Sequence, residues 1–345
     1  MNTRDDNIDA LKGIGILCVL FGHVLTWGKT LSKVFFAFHV PMFFLISGLF
    51  AKTGCESFGE LFRRICRNYV FPYFFFTIAG LCVIPFRSGI GLDMHLARSV
   101  FLDFHPAVNG PVWFLAVLAM TQVAFWVFRK YVKLDESRLL VAIVALSAGC
   151  VIAMQPSARV AGIPFKAGAV PFAFLIFAAG SALKNKVLKF FDRNHSCAGG
   201  LFCLLVLSAM SILIARIAPA SNCGIPMMKS IASIPACITG IMASMYAVRT
   251  LRLDKIRPLA HIGRNSLFFF CLDYVALPVV VKLSGGILPG LSDASMPVLS
   301  HKHGIGTSSL LFIFNLVAVS MISMLVKPFY DFAKSALFGD RRYKP

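Results

Sequence analysis

Ten apolar runs, each long enough to cross a bilayer, follow one another along this chain with short, mostly basic segments between them. A helix needs about 20 apolar residues to span the ~30 Å hydrocarbon layer. The runs lie roughly at 8–28, 34–52, 68–87, 110–128, 139–156, 168–183, 197–215, 228–248, 260–281 and 306–326. Inside a membrane every backbone amide must find its partner within the structure, which leaves helices or a closed barrel. These runs are rich in Phe, tolerate Gly, and lack the short alternation of barrel strands. The expected fold is therefore an all-α polytopic membrane helix bundle of about ten transmembrane helices.

Composition agrees. Of 345 residues, 58% are hydrophobic and 14% charged, whereas soluble domains carry about 25% charged residues. A soluble enzyme, a coiled coil, a disordered chain and a small secreted scaffold are excluded. The net charge of +19 would favour nucleic acid in a soluble protein, but here the cations sit between apolar spans, where they encode topology. Connectors on one side carry 22 Lys and Arg and those on the other carry 10, with Lys12 and Arg264 inside spans. That bias puts both termini in the cytoplasm, and no nucleic-acid partner is expected.

The ten cysteines form no CxxC pair, so neither a disulfide framework nor a zinc site is expected. His301 and His303 lack a third ligand nearby, and the metal expectation is none. No cleavable leader is expected: the first apolar run contains His23 and lacks a short apolar core ending in small residues. No linker or internal repeat divides the chain, so residues 1–345 read as a single domain without a fused extracytoplasmic hydrolase-like domain.

Charged groups inside spans are expensive and normally face a bundle interior or a wet cavity. On a helix Lys12 and His23 lie only about 20° apart and ~16 Å along the axis, with Asp9 about 40° from the same line. One face thus presents a carboxylate, an ammonium and a deep imidazole, a group suited to proton abstraction near neutral pH. The bland alternative is a snorkelling Lys12 and a His23 that merely bonds a neighbouring helix. His39 opens the second run at comparable depth, with Ser47 further along. Arg63, Arg64 and Arg67 form a basic lead-in to the third run; Arg forks suit phosphates, though they equally serve as ordinary positive-inside residues. Trp113, Arg264 with Asn265, and the mid-span Asp273 complete the candidates.

These segments in this order resemble the membrane-bound acyltransferase 3 family, which includes bacterial O-acetyltransferases of cell-surface polysaccharides and related succinyltransferases. The likeness covers nearly the whole chain. It rests on Ile8-Asp9 through Lys12-Gly13 to Gly22-His23, on Phe38-His39-Val-Pro41 with Ser47-Gly48, and on Arg67 to Pro72-Tyr73. Trp113-Phe-Leu115 and Ile262-Gly263-Arg264-Asn265-Ser266-Leu267 complete it.

The resemblance implies a cytoplasmic acyl-CoA co-substrate, acetyl-CoA first among them, and no bound cofactor. It implies transfer to a hydroxyl of a cell-envelope or exported glycan, or of a lipid-linked sugar. His23 would be the essential residue, acting by direct deprotonation or through an acyl-His intermediate. His39 and Asp9 would support it, Lys12, Arg63, Arg64, Arg67 and Arg264 would hold the donor, and Ser47, Trp113, Asn265 and Asp273 would line the acceptor cavity. It also implies a bacterial inner membrane. One departure stands out: family members often carry His where this chain has Asp273. The rival reading is a transporter or flippase of a lipid-linked glycan or small solute, against which no inverted repeat is found.

Overall fold

The computed structural model describes residues 5–24, 30–52, 57–83, 100, 108, 110–131, 164–192, 196–217, 233–284 and 305–339. Among them there is no strand. The helices are α1 (Asp6–Val24), α2 (Thr30–Leu49), α3 (Phe58–Ile65), α4 (Phe71–Val83) and α5 (Trp113–Tyr131). They continue as α6 (Val170–Asp192), α7 (Cys197–Ile217), α8 (Ser233–Thr250), α9 (Arg257–Arg264), α10 (Ser266–Ser284) and α11 (Ile305–Phe338). Seven described stretches are long and apolar enough to cross a membrane, from Asp6–Val24 to Thr307–Phe338, and Lys33–Leu49 is a shorter apolar one. The run 139–156, the connectors around 90 and 290 and the His301–His303 pair lie outside the described residues.

Two of the expected spans begin differently from the apolar runs. The third is preceded by α3, whose start is fixed by a capping box: Glu60 N–H donates to Ser57 Oγ at 3.3 Å and Ser57 N–H to Glu60 Oε2 at 2.8 Å. A π-helical turn, Cys66–Val70, then joins it to α4. The ninth run is cut in two. Asn265 leaves helical geometry (φ −103°, ψ 21°) and ends α9, so Arg264, expected inside a span, instead closes a separate amphipathic helix.

The chain divides into two compact units. The first comprises Met1–Thr53, Ala124–Ala158 and Gly168–Ser266. In it α1 packs on α2 and α9, α2 on α6, and α7 on α8. Small residues allow these close crossings. A Cβ on Gly48 would overlap the Phe177 carbonyl and one on Gly180 the Leu45 carbonyl, so α2 and α6 touch backbone to backbone. Gly13 and Gly263 do the same for α1 and α9, against Leu259 O and Asp9 O. The apolar core between them includes Leu11, Phe38, Met42, Ile46 and Leu259.

The second unit comprises Gly54–Val123, Arg159–Ala167 and Leu267–Pro345. Its centre is aromatic: the Tyr330 ring lies 5.1 Å from Phe75, 5.9 Å from Phe76 and 5.0 Å from Phe268, which joins α4, α10 and α11. Such offset and edge contacts each contribute about 0.5–1.5 kcal/mol beyond area burial.

Candidate active site

Helical geometry through Asp6–Val24 keeps Asp9, Lys12 and His23 on one side of α1. Asp9 is 4% exposed, and its Oδ1 lies 3.8 Å from Lys12 Nζ. A buried carboxylate needs such a partner, and the pair fixes the ammonium within the second turn. Lys12 also stands 5.9 Å over the Phe50 ring at the far end of α2. The two helices run antiparallel, with Gly15 against Met42 and Gly22 against Phe36.

At the other end His23 is half-buried and its ring centroid lies 6.0 Å from that of Phe36. Phe36 in turn meets His39 edge-on at 5.3 Å, so one aromatic ring separates the two imidazoles, which lie within electrostatic range of each other. His39 is 2% exposed and its Nδ1 is 2.6 Å from the Phe35 carbonyl oxygen. A carbonyl only accepts, so Nδ1 carries the proton, and in the neutral ring Nε2 is the acceptor. That tie holds the ring in one tautomer and one orientation. Ser47 is half-buried on α2, beside the Gly48 contact with α6.

Arg264 is exposed and follows Gly263, whose Cα abuts the Asp9 carbonyl. The close α1–α9 crossing therefore brings the C-terminal end of α9, which carries Arg264, beside the turn of α1 that carries Asp9. Asn265 caps the same helix: its Nδ2 donates to His261 O at 3.0 Å. His261, exposed on α9, is a further titratable group at this end that the sequence motifs did not single out.

The other candidates belong to the second unit. Arg63 is exposed and Arg64 is half-buried. Arg64 Nη1 donates to Gln122 Oε1 at 2.6 Å, and Gln122 Nε2 donates to the Tyr69 hydroxyl. Arg67, within the π-helical turn, lies in electrostatic range of Tyr330 and Lys334. Single π turns recur at functional sites because they re-aim side chains out of the normal helical register. Trp113 is 7% exposed, and Lys166 Nζ stands 5.3 Å over its ring. Lys166 holds a left-handed backbone, φ 50°, a conformation that costs a residue with a Cβ about 1 kcal/mol or more. Asp273 is fully buried and accepts from Asn315 Nδ2 at 2.5 Å. Gln122, Lys166 and Asn315 are thus partners that the sequence reading missed. Among the described residues no three His, Cys, Asp or Glu side chains stand together as a metal site would require.

The acyltransferase domain family, acyltransferase 3, matches residues 5–327. This chain belongs to that family. The match runs from the first turn of α1 into α11 and so takes in every candidate residue described above. Two curated relatives are similar in part. Nodulation protein NolL of Sinorhizobium fredii is 30% identical over 135 residues, 34% of this chain and 35% of that protein. Nodulation protein NolL of Mesorhizobium japonicum is 26% identical over 126 residues, 33% of each. The alignments thus span about a third of these relatives' length. No solved structure is significantly similar.

Proposed function

We propose that this acyltransferase 3 protein moves an acyl group, acetyl in the first instance, from cytoplasmic acyl-CoA to a hydroxyl of an exported or cell-envelope glycan. Both units would form one acyl-transfer module in a bacterial inner membrane. The observation that carries the reading is the alignment of Lys12 and His23 along one side of α1, with the fixed His39 ring beyond Phe36.

In this mechanism Lys12 and Arg264 at one end of α1 hold the donor's phosphates. In the second unit Arg64, oriented by Gln122, is a further group suited to a phosphate, and Arg63 and Arg67 add positive potential there. His23 accepts the proton of the acceptor hydroxyl as its oxygen attacks the thioester carbonyl. The new C–O bond forms, the C–S bond breaks, and the thiolate leaves with the electron pair and collects the proton from the His23 imidazolium. Asp9 holds Lys12, and His39 orients the acceptor. Ser47 and Asn265 in the first unit, and Trp113 and Asp273 in the second, are the acceptor-side residues of each.

The decisive assay is CoA release from acetyl-CoA and succinyl-CoA by protein in liposomes with host glycan extract. His23→Ala should lower acceptor-dependent release by ~10²–10⁴-fold, the usual worth of a positioned acid–base group. Wild-type release in that variant refutes the His23 mechanism. Absence of release with every acyl donor would return the transporter reading to first place.

A further inference from the structure

A cavity of about 470 Å³ lies at one end of the first unit, away from the Lys12–His23 line. Asn7, Asp192, Ser196, Tyr246, Arg249 and Arg252 are among the residues around it. Its volume is that of a small-molecule site. We propose that it binds the phosphate of a phosphate ester and that a membrane phospholipid supplies it.

Four observations converge on that chemistry. The Arg249 guanidinium lies 4.7 Å over the Phe190 ring, a stacking that holds the plane of the fork and suits edge-on, bidentate recognition of phosphate. Arg252 holds φ 52° and ψ 40° at the turn after α8. Glycine would adopt that backbone without strain, yet a long cation stands there, the kind of local cost that gathers at ligand sites. The first turn of α7 opens on the cavity through Ser196, Cys197 and Gly200, and Ser196 Oγ accepts from Gly199 N–H at 3.2 Å. Tyr246 and Thr250 add hydroxyls.

Two carboxylates, Asp192 and Asp254, line the cavity beside its two arginines. Asp254 lies 3.8 Å from Arg252 Nε and 3.2 Å from Lys255 Nζ, so two cations share one anion, and Asp192 is exposed.

The source follows from position. Asn7 sits five residues before Lys12, which is about 140° around α1, so the cavity faces away from the proposed donor line. On the side of α7 that carries Cys197, Leu201, Leu205 and Ile212 are 44%, 61% and 40% exposed, about 40°, 80° and 60° from it around the helix. Leu201 lies four residues, ~6 Å, beyond Cys197. A lipid with its phosphate in the cavity therefore finds an apolar surface for its chains. The charge bias also assigns this end to the cytoplasmic leaflet, where basic pockets between spans hold anionic headgroups. The inference does not depend on the acyl-transfer reading.

The test is native mass spectrometry of the delipidated, detergent-purified protein with phosphatidylglycerol, together with maleimide labelling of Cys197, which is exposed and lines the cavity. Arg249→Gln removes the stacked fork. Arg252→Gly keeps the left-handed backbone while removing the charge, so it retains the fold even where Arg249→Gln does not accumulate. The expected result is a phosphatidylglycerol adduct weakened about tenfold in either variant, as loss of one charge-assisted bond predicts, and slower Cys197 labelling in lipid-loaded wild type. Protection of Cys197 by glycerol 3-phosphate without any lipid adduct assigns the site to a soluble phosphate ester and overturns the lipid source. Equal adducts in wild type and both variants, with no protection of Cys197 by either ligand, overturn the proposal.

Discussion

Arg64 donates to the side-chain oxygen of Gln122 at 2.6 Å, and Gln122 passes its own amide proton to Tyr69. A half-buried guanidinium is thereby held by a residue 58 positions away in sequence, on α5. If Arg64 binds the donor, Gln122 is a positioning residue and its loss acts through KM. Gln122→Leu should raise KM for acyl-CoA by about 10–100-fold, the worth of one hydrogen bond to a charged group, with a smaller change in kcat. Gln122→Glu keeps an acceptor for Arg64 and should fall between wild type and Gln122→Leu. Equal losses of kcat at unchanged KM would separate Arg64 from donor binding.

A second prediction concerns two glycines. A Cβ at Gly263 would run into the Asp9 carbonyl and the Gly13 nitrogen, whereas one at Gly59 meets nothing within 4 Å among the described residues. Gly263→Ala should destabilise the α1–α9 crossing by about 1–3 kcal/mol, as overpacking generally does, and should misplace Arg264 and Asp9 together. Gly59→Ala, on α3, should be neutral or stabilising by up to about 1 kcal/mol through helix propensity. Thermal unfolding in detergent, followed by size-exclusion recovery after heating, separates the two. A Gly263→Ala protein as stable as Gly59→Ala would show that the two helices can part without cost.

A third prediction uses the strained Lys166. Its φ of 50° and its place 5.3 Å over the Trp113 ring combine a backbone cost with a cation–π contact of about 0.5–2 kcal/mol. Lys166→Gly should relieve the strain and remove the contact, leaving stability within about 1 kcal/mol of wild type. Lys166→Ala keeps the strain and loses the contact, so it should be the less stable of the two. If the Trp113 side shapes acceptor binding, both should raise the acceptor KM and leave the donor KM unchanged. A matched rise in donor KM would remove Trp113 from the acceptor site.

Much of the first unit's site was legible because helix arithmetic needs no tertiary information. Once Asp6–Val24 is helical, the alignment of Asp9, Lys12 and His23 follows from 3.6 residues per turn. The break at Asn265 was passed over. The expected run 260–281 takes in the polar stretch Arg264-Asn265-Ser266, and the cap geometry, with Asn265 Nδ2 on His261 O, turns one expected span into α9 and α10. The π turn at Cys66–Val70 leaves no mark on hydropathy. Gln122 and Asn315 did leave one, since an amide inside an apolar run must find a partner. Which partner it finds is a matter of packing between helices far apart in sequence. The sequence reading followed ionisable groups and passed over the amides that hold them.

Asp273 and Asn315 make the sharpest case. Both are fully buried, and Asn315 Nδ2 donates to Asp273 Oδ1 at 2.5 Å. Among the described residues Asn315 Oδ1 has no hydrogen-bond partner, an arrangement that costs about 1–3 kcal/mol for a buried acceptor. Asn315→Leu should remove one donor to Asp273 and destabilise the protein by about 1–3 kcal/mol. The double variant Asp273→Leu with Asn315→Leu, which removes both polar groups, should recover most of that loss, because replacing both partners by apolar groups is often close to neutral. Activity should separate the two roles. A double variant that is stable yet transfers no acyl group makes the pair part of the acceptor or proton path. A double variant that is stable and fully active makes it a structural bond between α10 and α11 and removes Asp273 from the candidate site.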